Sequence, residues 1–231
     1  MRFIPEIVAT LISLSLFGSS FAATNTTAAI DSVYKQEAAQ CPWWSASRIY
    51  MGAYGGYGVV SGAYDNDGDV AFSRLTLGLH AYEYQQISFG AELGVQSGNT
   101  MRLDASSAVI NSLGGLQPQA TLKPFIDLLV TVKKQLINTA PLFGILKGGI
   151  AYRQLQLENS NSSSDTVRKV NCELQAGLGY TLTEHAMLTA FYQGIYSNSS
   201  AGVSADASGA NTYINNIPTQ QAGFLGIEYS L

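Results

Sequence analysis

The stretch Ile87-Ser88-Phe89-Gly90-Ala91-Glu92-Leu93-Gly94-Val95-Gln96 decides the fold. Its odd positions are all apolar and its even positions small, polar or charged, and a period of two marks an extended strand with two unlike faces. The alternation recurs along the chain. Val170, Cys172, Leu174, Ala176, Leu178, Tyr180 and Leu182 interleave with Asn171, Glu173, Gln175, Gly177, Gly179 and Thr181. Leu122, Pro124, Ile126, Leu128, Val130 and Val132 interleave with Lys123, Phe125, Asp127, Leu129, Thr131 and Lys133. Leu142, Leu146, Ile150 and Tyr152 face away from Lys147 and Arg153, Leu75, Leu77 and Leu79 from Arg74 and His80, and Leu188, Ala190 and Tyr192 from Thr189 and Gln193. The opening strand carries Tyr and Gly on both sides, so alternation alone leaves its facing open.

These patterns predict eight strands, at 48–58, 70–83, 86–98, 119–132, 141–155, 169–182, 186–197 and 220–231. The connections alternate long and short without exception. Segments 59–69, 99–118, 156–168 and 198–219 are long; 84–85, 133–140 and 183–185 are short. That rhythm, with an even strand number, is expected of an antiparallel up-and-down transmembrane β-barrel with tight periplasmic turns and long extracellular loops. An 11-residue strand tilted by about 40° covers roughly 28 Å, enough for the ~25 Å apolar band of such a barrel.

Composition agrees. Of 231 residues 46% are hydrophobic and only 12% charged, where a soluble domain carries about 25%. A lipid-facing parity excludes charge. With 12 Lys plus Arg and a net charge of −4, no basic patch for nucleic acid can form. Two Cys and two His give neither a disulfide framework nor a structural zinc site, and no cofactor is expected.

Turning the apolar parity outward sends Arg74, Glu92, Lys123, Asp127, Lys147, Arg153, Glu173 and Glu228 into the lumen. Four bases there meet four acids. An eight-stranded barrel is just wide enough to be filled by side chains, so these charges are expected to pair in a plugged interior. The competing soluble barrel of the lipocalin type would expose this face, but Gly90, Gly94, Gly149, Gly177 and Gly179 lie on it, and small residues make room in a crowded interior.

The N-terminus reads separately. Arg2, an apolar run Ile7–Phe17 and small residues at Ser20 and Ala22 predict an export signal cleaved after Ala22; the run is too short for a spanning helix. Residues 23–47 are read as a periplasmic pre-barrel segment with a short helix from Ile30 to Gln40, and 48–231 as the barrel. Trp43, Trp44 and Tyr229 would mark the inner interface, Tyr57 and Tyr152 the outer.

Two further patterns resemble a known family. The last strand, Gly226-Ile227-Glu228-Tyr229-Ser230-Leu231, resembles the terminal strand of bacterial outer-membrane barrels, with Leu231 where Phe is usual and Phe224 where a polar residue is favoured. Tyr50-Met51-Gly52-Ala53-Tyr54-Gly55-Gly56-Tyr57-Gly58 resembles their Gly/aromatic first strand. Over residues 48–231 the chain is similar to the small eight-stranded barrels of the outer-membrane protein A and opacity-protein kind. The resemblance implies an integral protein of a Gram-negative outer membrane. It implies contact with membrane lipid and assembly through Gly226, Tyr229 and Leu231 by the barrel-assembly machinery. It also implies a structural or adhesin-like role through the loops, and 99–118, 156–168 and 198–219 are the expected surface for a host or surface ligand.

A narrow channel is the alternative function, and a lipid-modifying enzyme a lesser one. His80 falls in the periplasmic half of strand two and His185 in a turn, neither with a nucleophile at the outer rim, so no enzyme is expected. Asp65, Asp67 and Asp69 match the start of a calcium loop, but its twelfth position is Thr76 and not Glu, so a polar surface loop is the expectation. Cys41 and Cys172 fall on opposite sides of the membrane, on the order of 25 Å apart, too far to bridge.

Overall fold

The computed structural model describes residues 49–84, 87–112, 115–137, 140–158, 166–197, 203–205, 212–214 and 216–231. The expected signal segment 1–22, the pre-barrel segment 23–47 with its helix, Cys41, Trp43 and Trp44 lie outside the described residues.

Among the described residues the strands are β1 Ile49–Val60, β2 Asp69–Tyr84, β3 Ile87–Gln96, β4 Asn99–Arg102, β5 Gln119–Leu122, β6 Phe125–Gln135, β7 Leu142–Glu158, β8 Thr166–Thr181, β9 Ala186–Tyr196, β10 Val203–Ala205, β11 Thr212–Ile214 and β12 Gln220–Ser230, with one helix, α1 Ser107–Ser112. Eight of them close a ring in the order β1-β2-β3-β6-β7-β8-β9-β12, with β12 paired back to β1 and every pair antiparallel. These eight coincide with the eight expected from the alternation. Among the described residues no helix is long and apolar enough to cross a membrane.

The register gives the barrel its shape. Following paired residues once around from Tyr50 through Gly78, Glu92, Leu129, Gly149, Glu173, Ile195 and Gln220 arrives at Val60, ten residues further along β1. That stagger over eight strands corresponds to a tilt of about 40°, in the usual range for barrels.

The two faces divide as the period of two requires. Leu75, Leu77, Leu93, Leu128, Val130, Leu146, Ile150, Leu174, Leu178 and Leu225 all point outward with about half or more of their surface exposed. Water would not tolerate so continuous an apolar band; lipid requires it. Tyr82, Tyr84, Tyr180 and Tyr229 ring the turn end, and Tyr57, Tyr152 and Tyr196 the loop end. On β1 the structure settles what alternation left open: Tyr50 and Tyr54 are buried inward, Met51, Tyr57 and Val59 face out.

The fourth predicted strand required a correction. It runs past 132 to Gln135, and it is broken at residues 123–124. Leu122 pairs with Leu155 while Ile126 pairs with Tyr152, so one extra residue is accommodated on the β5–β6 side. Such a bulge flips the facing of everything beyond it. Pro124, with no N–H to give to a ladder, sits at the break. Leu122, expected to face lipid, is therefore buried at 1% exposure, and Lys123, expected in the lumen, is not part of it. The neighbouring strand breaks at the same level: β4 follows β3 after Ser97 and Gly98, and Met101 turns inward where Val95 faced out.

Candidate functional site

The barrel interior is built by inward positions of β1, β2, β3, β6, β7, β8, β9 and β12. At its centre the Arg74 guanidinium donates to both carboxylate oxygens of Asp127, to Glu92 at 3.2 Å, and lies 3.7 Å from Glu173. Lys147 donates to Glu92 at 2.6 Å and lies 3.7 Å from Glu228, which also accepts from Lys133. Tyr50 and Tyr54 donate their hydroxyls to Glu92 and Glu228, each at 2.9 Å. Gln193 bridges Gln96 and Glu173, and Gln175 also donates to Glu173. Glycine supplies the room: a Cβ on Gly94 would meet Arg74 Nη2 at 2.5 Å and Asp127 Oδ1 at 2.6 Å.

Of the expected lumen set, Arg74, Glu92, Asp127, Lys147, Glu173 and Glu228 meet in this one network. Lys123 is displaced by the bulge, and its place among the bases is taken by Lys133. The alternation already put Lys133 on the inward parity; only ending the strand at 132 hid it. Arg153 is inward and buried, yet its guanidinium donates to the Pro218 carbonyl at 2.7 Å and Gln220 at 3.1 Å instead of to a carboxylate. It ties the return of the last long loop to the barrel wall.

Above the network the lumen changes character. Tyr54, Phe72, Phe191 and Phe224 form an aromatic layer, Phe224 stacked on Phe191 with centroids 5.2 Å apart and Tyr54 edge-on to Phe191 at 5.0 Å. Val60, Met101, Leu103, Ala120, Leu122, Leu155, Leu157 and Ile217 continue it as a buried apolar cap. Phe224, a departure from the usual terminal-strand pattern, is thus a core residue here. Replacing Leu155, which has 0% exposure, by Ala should cost about 2–5 kcal/mol as a cavity opens, read from urea unfolding of the inserted protein; a cost below about 1 kcal/mol would mean that the cap is not packed.

The outer surface changes at the same level. Ile126, Tyr152 and Val170, paired in one row, are the last apolar outward residues. Beyond them come Gln154, Gln156 and Glu158 on β7, Thr121 on β5, and Thr166 and Arg168 on β8. Strands of 16 to 17 residues, as β7 and β8 are, exceed the ~11 that cross a bilayer. The surplus forms a crown with polar residues outside and apolar ones inside, the reverse of the segment in lipid. The expected loop 99–118 carries β4 and α1 and leads into β5. The loop 156–168 narrows to 159–165, and 198–219 contains the β10–β11 hairpin.

Loop 61–68 is fastened to this crown. Asp67 accepts from Arg102 Nε at 2.6 Å, from Nη2 at 2.9 Å and from the Arg102 backbone N–H at 3.2 Å, while the guanidinium lies 5.2 Å from the Tyr64 ring centroid. Asp67 is thus held by Arg102. The side-chain hydrogen bonds from Arg102, and then its backbone N–H, pull the Asp67 carboxyl from an ordinary 3.8 to about 2. A lowered folded-state value means that the link contributes stability above the ordinary carboxylate range and loses it as pH falls through about 2. A carboxyl titration of Asp67 by NMR should follow this; a midpoint near 4 would exclude the link.

The other singled-out residues are placed plainly. His80 lies at the turn end of the lumen, its Nδ1 3.0 Å from Ser88 Oγ and its ring 4.8 Å from that of Tyr50. His185 is in a turn, its ring 5.9 Å from that of Tyr229. Cys172 is an exposed thiol on the outward face near the loop end of β8. Gly226 packs tightly, since a Cβ there would meet the Tyr54 ring at 2.5 Å; Tyr229 and Leu231 are exposed.

No protein-family model matches this chain, and no curated protein does. Among solved structures it is similar to neisserial surface protein A, at 12% identity over 81% of this chain and 98% of that one, with a TM-score of 0.46. Ail, the attachment invasion locus protein of Yersinia pestis, is similar at 10% identity, covering 79% of this chain and 95% of that one, with a TM-score of 0.48. The outer membrane protease OmpT of Escherichia coli is similar at 10% identity, 81% and 98% coverage, and a TM-score of 0.34.

Proposed function

We propose that the chain is an integral outer-membrane barrel with a structural or surface-recognition role exercised by the crown and its loops. The observation that carries this reading is the division of the interior. A charge-paired network filling the middle and an apolar cap closing the loop end leave the extended, polar-sided crown as the part equipped to meet something outside the membrane. The last strand, with Gly226, Tyr229 and Leu231, is the segment through which a barrel-assembly machinery would take up the chain.

The test compares bacteria carrying the full chain with bacteria carrying one whose residues 104–118 are replaced by Gly and Ser. Both proteins should fractionate with the outer membrane and show heat-modifiable mobility on a gel, while adherence to host cells should fall for the second. Equal adherence overturns the recognitive reading, and absence of heat-modifiable mobility overturns the barrel.

The channel alternative needs an open lumen, so planar bilayers holding the purified protein should show no conductance above background; discrete steps would restore that alternative. We assign no catalytic step. The Ser88–His80 contact lies at the turn end and has no carboxylate partner on the histidine among the hydrogen bonds of the described residues, whereas a dyad of this kind works with a third group that orients the base. Lipid A from expressing cells should keep its mass, and a change would bring the enzyme reading back.

A further inference from the structure

The barrel sorts its cations. Among the described residues, Arg74, Lys133, Lys147 and Arg153 are buried in the lumen, Arg102 is held by Asp67, and Lys134 is exposed at the turn end. Of the three that remain, Lys123, Arg168 and Lys169, none has an ion pair among the described residues. Lys169 pairs with the inward Arg153 and shares its parity, whereas Lys123 and Arg168 lie in one register row on the outer wall. The Lys123 N–H donates to the Gln154 carbonyl at 2.9 Å, and Gln154 pairs in register with Arg168. Two strand spacings place Lys123 and Arg168 about 10 Å apart along the wall. Arg168 is exposed and Lys123 half-buried.

Their level is set by the row beneath. Ile126, Tyr152 and Val170 are the last residues facing hydrocarbon, and Tyr152 belongs to the aromatic belt that marks the headgroup boundary. One step further along the strands a lipid presents its phosphates. Among the described residues the nearest acid on this wall, Glu158, lies further out and accepts from Thr121 at 3.0 Å. None of the described acids pairs with either cation.

We infer that Lys123 and Arg168, flanking Gln154, form a binding site for the phosphate groups of an anionic lipid headgroup in the leaflet at the loop end. Gln154 stands between the cations as a neutral hydrogen-bonding partner. The bulge at 123–124 acquires a purpose in this light, because it takes Lys123 out of the lumen set and brings it into line with Arg168. The site rests on the barrel spanning a bilayer and is independent of what the crown recognises.

The test uses the full chain, refolded in detergent and offered phosphatidic acid and phosphatidylcholine in equal amount, with retained lipid counted by native mass spectrometry. The wild-type protein should retain phosphatidic acid preferentially. The preference should fall by roughly fivefold for each of Lys123→Gln and Arg168→Gln, and added salt should weaken it in the wild type. Lys134→Gln, which removes a cation at the other end, should leave it unchanged. Heat-modifiable mobility shows whether each variant has folded, and the charge-keeping exchange Lys123→Arg with Arg168→Lys should retain the preference even if a neutral variant does not fold. A preference that survives both neutral substitutions overturns the site, as does one insensitive to salt or equally lost with Lys134→Gln. Displacement of the lipid by an equal concentration of inorganic phosphate would show a free-anion site and overturn the assignment to a lipid headgroup.

Discussion

Arg74→Ala is expected to destabilise the inserted barrel by about 3–5 kcal/mol, the cost of breaking a buried ion pair from one side. Arg74 has 0% side-chain exposure and is the common partner of Asp127, Glu92 and Glu173. Removing it leaves Asp127 with no cation in the network and sets three buried carboxylates against one another where charges are poorly screened. Asp127→Asn should cost less, because Arg74 keeps Glu92 at 3.2 Å and Glu173 at 3.7 Å. Urea unfolding in lipid vesicles, followed by the mobility of the folded band, measures both. A loss for Arg74→Ala below about 1 kcal/mol would mean that the lumen is wet and its charges individually solvated.

The second large effect locates the membrane. Leu128→Arg, on the outward face of β6 with 55% exposure, should cost about 2–4 kcal/mol because it puts a charge at the depth of the hydrocarbon. Gln156→Arg, also outward but on the crown portion of β7, should lie within about 0.5 kcal/mol of wild type. An arginine introduced on the outward face is thus costly on one side of the Ile126–Tyr152–Val170 row and tolerated on the other. Equal costs in the vesicle unfolding assay would remove that row as the boundary and, with it, the crown.

Much of this was legible in the residues. The segment Ile87–Gln96 carries its two faces in its own alternation, and so does Val170–Thr181, because a strand with lipid on one side and a packed lumen on the other can hold only apolar residues at every second position. The long and short connections fixed the antiparallel order, and six of the eight expected lumen charges meet in one network. The misplacements of Leu122 and Lys123 share one cause. At 123–124 the apolar alternation continues through Leu122, Pro124 and Ile126 without a visible interruption, yet the chain inserts a bulge there and the facing reverses. Leu122 and Ile126 read alike in sequence because both the cap and the lipid are apolar.

Local pattern determines how many strands there are, which parity faces hydrocarbon, and that the inward charges balance. It does so because those constraints act residue by residue along each strand. Only the tertiary structure decides the stagger of ten residues around the barrel, which carboxylate each base meets, and the height at which the wall leaves lipid and becomes a water-facing crown. Those depend on pairings between strands distant in the chain and on residues inserted at bulges, one between His80 and Tyr82 and one at 123–124, and no alternation within one strand records either.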